Sequence, residues 1–168
     1  MKLSSDLIKS LATYTANLKD DVSIVLQKGS HEKREELVTF LEDVCSVSEK
    51  LNFEESDLCT SNRSSISFTL FSNGMNSGIT FSGIPGGHEF NSLVLAILQL
   101  GGADLKLDDN IKSMICNINE KLQFEVFISL DCHICPEVVQ SLNKFAIVNE
   151  NISCEMIDGG LFPDIVKE

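Results

Sequence analysis

The chain has few basic residues and no long apolar run. Lys and Arg account for 13 of its 168 residues, and the formal net charge is -12. Binding to nucleic-acid phosphates requires clustered Lys and Arg, whereas here they are scattered, so a nucleic-acid surface is excluded. The first six residues lack the apolar core of a signal peptide, and no apolar run is long enough to span a bilayer. We therefore expect no membrane contact and a cytoplasmic location.

The regular cysteine spacing of a secreted disulfide framework is also lacking. There are six cysteines, and four of them stand singly at irregular intervals: Cys45, Cys59, Cys116 and Cys154. Because 43% of the residues are apolar, the chain can fill a core without a disulfide scaffold. Three of the single cysteines lie beside apolar residues and are predicted to fill the core, whereas Cys59 lies in a polar stretch. A reducing compartment with one functional cysteine pair fits this pattern.

That pair is the motif Cys132-His133-Ile134-Cys135, followed by Pro136. A strand-like run precedes it and an amphipathic helical run follows it, so both thiols are expected at the start of a helix. Free N–H groups and the positive end of the helix dipole stabilise a thiolate there. Such placement lowers a cysteine pKa from about 8.5 into the range of roughly 3.5–7.5. We expect Cys132 to be the nucleophile and Cys135 to resolve the mixed disulfide.

Two other interpretations of the motif compete with the redox interpretation. Half of a zinc site can have this spacing, but such a site needs a second pair of Cys or His ligands. The remaining cysteines are isolated, and His31 and His88 have no metal-ligand spacing. A purely structural cysteine pair is the third interpretation. The flanking strand and helix favour redox chemistry, although the charge of Asp131 opposes a thiolate next to it.

A strand-helix-strand unit is predicted twice along the chain. The first copy has a strand over 22–27, a helix over 32–50 and a short strand near 51–54; the second has a strand over 124–130, a helix over 132–148 and a strand over 152–157. No thiol is found in the first copy where the second has its cysteine pair. The second copy alone is therefore expected to perform dithiol chemistry.

Four further elements are expected outside the two units. They are a helix over 4–17, a hairpin with strands over 66–71 and 78–81, an apolar helix over 89–100 and an amphipathic helix over 104–120. The helix over 89–100 is apolar nearly all round, so it must be covered on several sides. We expect it to lie between two layers or two subdomains.

The loop before that apolar helix contains Gly83, Gly86 and Gly87. Such a loop can cradle an anion, but no dinucleotide fingerprint or phosphate-loop lysine accompanies it, so a turn is predicted. From the residues alone, Glu89 is a first-turn acid that complements the helix dipole.

Three segments carry a resemblance to a known family: Cys132–Gln140, Ile157–Gly160 and Gly87–Ala96. Taken in chain order, from Gly87–Ala96 through Cys132–Gln140 to Ile157–Gly160, they resemble the amino-terminal domain of the bacterial alkyl hydroperoxide reductase flavoprotein subunit. The resemblance implies an α/β chain of two fused thioredoxin-like folds with three α/β/α layers. An inactive fold over 1–102 would precede an active fold over 103–168. The active fold is expected to be incomplete, because a strand after a cis-proline, another strand and a closing helix are not found before Glu168.

The resemblance also implies a thiol-disulfide electron-transfer function in peroxide detoxification. Cys132 would attack the disulfide of a partner peroxiredoxin, and Cys135 would resolve the mixed disulfide. Glu89 would lie close to the dithiol across the two folds, where it could modulate the thiolate or accept a proton. Electrons would come from a following flavoprotein module that carries FAD and uses NADH or NADPH, and no cofactor is expected within the chain itself. Two positions depart from the family: Ile134 stands where a polar residue is usual, and Ile66 where a proline is expected.

Two other functions compete with this one. The chain could be a stand-alone glutaredoxin- or isomerase-like oxidoreductase, or a non-catalytic thioredoxin-like adaptor that only binds partners. Because an incomplete second fold could borrow packing from another copy, a homodimer is among the expected assemblies.

Overall fold

A computed structural model describes residues 2–57 and 63–166 of the chain. In chain order its regular elements are α1 Ser5–Thr15, β1 Val22–Gln27, α2 Arg34–Cys45, β2 Leu51–Ser56, β3 Ser67–Ser72, β4 Met75–Ser82, a 3-10 turn Gly87–Glu89, α3 Phe90–Leu100, α4 Asp109–Cys116, β5 Leu122–Ile128, α5 Cys135–Val148 and β6 Ile152–Asp158. None of the helices in these described ranges is long and apolar enough to cross a membrane.

The six strands form one sheet in the order β2-β1-β3-β4-β6-β5. β1 and β2 are parallel and joined by α2, and β5 and β6 are parallel and joined by α5. These pairs confirm the two predicted strand-helix-strand units. β4 pairs in parallel with β6, from Ile79 opposite Cys154 to Ser82 opposite Ile157, and thereby joins the units into one sheet. The division of the chain at residue 102 stays a prediction.

The core lies between the sheet and the helices. Phe68 of β3 and Phe81 of β4 are fully buried and stack with ring centroids 5.3 Å apart. Between α1 and α5 lies α3, which also contacts β3. Its side chains Leu93 and Ile97 are fully buried. The predicted covering of this apolar helix on several sides is therefore confirmed.

The hairpin turn is tighter than the expected loop over 72–77. Only Asn73 and Gly74 lie between β3 and β4, with φ angles of 48° and 79°. Asn-Gly is the preferred pair for a two-residue hairpin turn in which both residues are left-handed. The strands consequently extend nearly to the turn from both sides.

The helix expected over 104–120 is much shorter in the structure. Lys106 has a φ of 48°, which is incompatible with a right-handed helix. The side chain of Asp108 then caps α4 by accepting hydrogen bonds from the N–H groups of Asn110 and Ile111. After Cys116 the helix ends, so the remaining residues of the predicted helix form the connection to β5.

A polar network crosses the seam between the two units. Arg63, which precedes β3, donates from Nε to Oε1 of Glu155 on β6 at 2.7 Å, and its guanidinium also pairs with Glu125 on β5. Ser82 of β4 donates a hydrogen bond to the same Glu155 carboxylate. One arginine therefore ties the connection before β3 to both strands of the second unit.

Truncation of the stacked core should destabilise the whole sheet. We expect Phe81→Ala to lower the free energy of unfolding by about 3–5 kcal/mol, because it removes a fully buried ring and leaves a cavity. Urea denaturation of the oxidised chain measures this change. Met75→Ala, at a side chain that is 72% exposed, is the control and should change stability by less than about 0.5 kcal/mol. Equal effects of the two substitutions would contradict the assigned core.

Candidate functional site

Cys132 and Cys135 form a disulfide with their Cα atoms 5.6 Å apart. The motif occupies the turn between the end of β5 and the first residue of α5, which is Cys135 itself. The helix begins three residues later than predicted, because the N–H of Cys132 bonds the carbonyl of Ser129 at 2.9 Å and closes a turn first. Pro136 fits the first helical turn, where no intrahelical N–H bond is lost.

The helix start polarises the sulfur of Cys132. The backbone N–H of Cys135 points at Sγ of Cys132 with a donor-acceptor distance of 3.2 Å. Cys135 packs against the hydrophobic core, whereas the neighbouring Ile134 is 72% exposed. Negative charge that develops on Cys132 thus meets a backbone donor and the positive end of α5. This arrangement is suited to thiol-disulfide exchange, with Cys135 as the more interior sulfur.

Glu89 is buried at the end of the 3-10 turn. Its side chain is 1% exposed, and neither carboxyl oxygen has a well-aligned hydrogen-bond partner among the described residues. Burial raises the pKa of Glu89, and the nearby Ser92 hydroxyl and His88 oppose this shift only in part. The carboxyl of Glu89 is therefore an interior acid whose neutral form is favoured by burial.

The segment that carries Glu89 lies directly against the cysteine motif. Gly87 has a φ of 55°, and a Cβ added there would be 3.0 Å from the carbonyl oxygen of Leu130, so glycine permits this close approach. The rings of His88 and His133 lie with their centroids 4.4 Å apart. The 3-10 turn also packs against α5. Two stretches that are remote in sequence therefore meet beside the disulfide.

Sequence reasoning missed two contacts in this junction. The first is the contact between the rings of His88 and His133. The spacing of His88 from other residues in the sequence gives no sign that it has a partner. The second joins Gln140 of α5 to Ser92 of α3 by a hydrogen bond of 3.3 Å, next to Glu89. No local pattern signals either contact, because each joins residues that are remote in sequence.

The corresponding helix start of the first unit carries an ion pair instead of thiols. Lys33 and Glu36, at the start of α2, are three residues apart and pair at 3.3 Å.

The glycine loop before α3 is a turn, as predicted. Gly83 has a φ of 126°, and the N–H of Gly86 donates a hydrogen bond to the carbonyl of Ile84 at 2.7 Å.

The single cysteines differ in exposure. Cys154 is buried and Cys45 packs against the core, and burial raises the pKa of each thiol to about 12. Both therefore fill the core as predicted. For Cys116 the core prediction is wrong: it is exposed, because α4 ends there and turns Ile115 inward. Cys59 lies outside the described residues.

These exposures predict selective alkylation of the folded chain without reductant. At mildly alkaline pH, iodoacetamide should label Cys116, because its side chain is exposed. Cys45 and Cys154 should stay unlabelled, since thiols with a pKa of about 12 remain protonated, and Cys154 is also buried. Peptide mass spectrometry identifies the labelled cysteines. In the control, the chain is unfolded in urea, and all three cysteines should react. Early labelling of Cys154 would contradict its burial.

No protein-family model matches the chain. Among curated proteins, it is 41% identical over 160 residues to the alkyl hydroperoxide reductase protein AhpF of Staphylococcus aureus strain Mu50. The match covers 95% of this chain and 31% of that protein. The chain therefore spans about a third of the length of the curated relatives it matches.

Solved structures show the same fold. The NTD_N/C domain of alkylhydroperoxide reductase AhpF from Enterococcus faecalis superposes with a TM-score of 0.89 at 32% identity, covering 98% of this chain and 84% of that one. A protein disulfide oxidoreductase from Aeropyrum pernix gives a TM-score of 0.85 at 21% identity, covering 99% and 79%, and supports the fold alone. The predicted thioredoxin-like α/β class is confirmed. This chain belongs to the family of N-terminal domains of the alkyl hydroperoxide reductase AhpF.

Proposed function

We propose that this chain is an electron-transfer domain that carries reducing equivalents from a flavoprotein module to the disulfide of a peroxiredoxin, in peroxide detoxification. The observation that carries the proposal is the Cys132–Cys135 disulfide at the start of α5 in a thioredoxin-like frame. Family membership supports it, and the chain's share of about a third of its relatives' length leaves room for a flavoprotein module elsewhere in the whole protein.

The exchange proceeds in two steps from the reduced dithiol. The Cys132 thiolate attacks one sulfur of the partner disulfide, which forms a mixed disulfide and releases a partner thiolate that takes up a proton. Cys135 then loses its proton and attacks Sγ of Cys132, which releases the second partner thiol and closes the Cys132–Cys135 disulfide. Two electrons and two protons pass to the partner. Because Cys135 packs against the core, Cys132 is the sulfur presented to the partner.

Reduction of the Cys132–Cys135 disulfide back to the dithiol needs two electrons from outside the chain. In the proposed whole protein, FAD and NADH or NADPH in the flavoprotein module supply them. A cytoplasmic location suits this cycle, since Cys45, Cys116 and Cys154 are free thiols.

We assign Glu89 to the second step, as the acceptor of the proton that Cys135 must lose. Its carboxyl is buried without well-aligned partners, and its 3-10 turn packs against α5, which Cys135 begins. A positioned acid-base group of this kind contributes about 10²–10⁴-fold to a rate.

Trapping of the first intermediate tests the order of attack. Reduced Cys135→Ser, mixed with an oxidised peroxiredoxin of this reductase system, should accumulate a mixed disulfide through Cys132, because the resolving sulfur is gone. Non-reducing electrophoresis and peptide mapping identify the linkage. Cys132→Ser should form at most a small fraction of this adduct, and Cys116→Ser should turn over normally as the control at an exposed thiol.

The outcome also separates the competing functions. Reduction of glutathione disulfide without any peroxiredoxin adduct would favour a stand-alone oxidoreductase. Absence of exchange with either substrate, in a folded chain, would favour the adaptor and overturn the proposal.

Substitution of the buried acid tests its assignment. Glu89→Gln should slow the release of the second partner thiol from the mixed disulfide by at least about 10²-fold, while the first attack changes little. Stopped-flow quenching at constant pH separates the two steps. Glu137→Gln, at an exposed acid in the first turn of α5, is the matched control. Equal resolution rates in the wild type and Glu89→Gln would remove Glu89 from the mechanism.

A further inference from the structure

Two imidazoles that are remote in sequence meet beside the disulfide. His88 belongs to the 3-10 turn before α3, and His133 stands between the two cysteines. Their ring centroids are 4.4 Å apart and the ring planes are inclined by 57°. Both side chains are exposed, and neither ring makes a hydrogen bond within the described part of the chain. The ring nitrogens of both histidines are therefore available to bind a ligand.

Reduction of the disulfide makes two further metal ligands available beside the histidines. In the oxidised chain the two sulfurs bond each other, and the described residues contain no group of three or more side chains ready to hold a metal ion. Reduction frees the thiols of Cys132 and Cys135. A Cys-x-x-Cys pair is a common half of a structural zinc site, and two imidazoles are a common second half. His133 stands within the cysteine motif, and the fold brings His88 against its ring.

We propose that the reduced chain binds Zn²⁺ through Cys132, Cys135, His88 and His133, and that this metal masks the dithiol. Binding forms two metal-thiolate bonds and two metal-imidazole bonds and releases the two thiol protons, and no electrons move. Once bound to the metal, the sulfurs are poor nucleophiles towards a disulfide. The masking of the electron relay rests on the proposed function, whereas the site itself depends only on the four side chains.

The surroundings favour a cation of this class. Asp131 and Glu137 are exposed beside the motif, and the chain carries a formal charge of -12, so the local potential attracts cations. Thiolate and imidazole donors select zinc and its spectroscopic substitute Co²⁺, whereas Mg²⁺ and Ca²⁺ prefer oxygen ligands.

Metal titration of the whole chain tests the site. The protein, in a Cys59→Ser, Cys116→Ser background, is reduced with a phosphine that is then removed without oxygen. Co²⁺ should bind in a one-to-one ratio, with thiolate-to-cobalt charge transfer and the visible bands of a tetrahedral ion. The oxidised chain should give neither signal. Zn²⁺ should displace Co²⁺, and competition with a chromophoric chelator gives the zinc affinity.

The histidine variants decide whether both halves take part. Loss of a hydrogen-bond partner behind a ligand already weakens metal binding by about 10–100-fold, so His88→Ala and His133→Ala should each weaken zinc binding at least about tenfold. His31→Ala is the matched control, since His31 lies in the first unit and accepts a hydrogen bond from the N–H of Lys33. Equal thermal melting of the oxidised variants, with His88→Gln as a second substitution, excludes misfolding as the cause. Unchanged zinc affinity in both histidine variants would overturn the proposal.

A small aromatic disulfide tests the masking without any protein partner. Stoichiometric Zn²⁺ should slow its reaction with the reduced dithiol at least about tenfold, and a chelator should restore the rate. A failed peroxiredoxin reaction together with successful zinc binding would refute the relay and keep the metal site. Exchange at the unchanged rate with zinc bound would refute the masking.

Discussion

The parallel pairing of β4 with β6 underlies the architecture of this molecule. It joins two strand-helix-strand units into a six-stranded sheet over Ile79 to Ser82 and Cys154 to Ile157. The loop after β4 and the loop after β5 then lie at neighbouring positions, so Gly87 reaches the carbonyl of Leu130. Every contact between the 3-10 turn and the cysteine motif follows from this pairing.

The segment before α3 lies beside the cysteine pair of the second unit. It supplies Glu89, whose carboxyl lies in the interior without well-aligned partners, and His88, which lies against His133. A buried carboxyl without hydrogen bonds is costly for a fold, and such groups concentrate at functional sites. The 3-10 turn, which lies outside the second unit, thus forms part of the surroundings of the cysteine pair.

Much of the fold could be predicted because its signals are local. The hairpin of β3 and β4 and the two repeated units depend on residues close together in the chain. Predictions are wrong where a turn or a helix cap interrupts such patterns. A left-handed Lys106 and the Asp108 cap shorten α4, so Cys116 falls on the surface although apolar neighbours precede it.

The place of the cysteine pair at a helix start follows from the order of amino acids alone, since a strand, a turn and a proline within one short stretch suffice to define it. The surroundings of that pair come from the three-dimensional fold. Burial of Glu89 and the meeting of His88 with His133 depend on strand pairing between units, and solvation and distance between remote residues are not encoded in any local pattern. The dithiol is a property of one stretch of chain, and its environment is a property of the whole sheet.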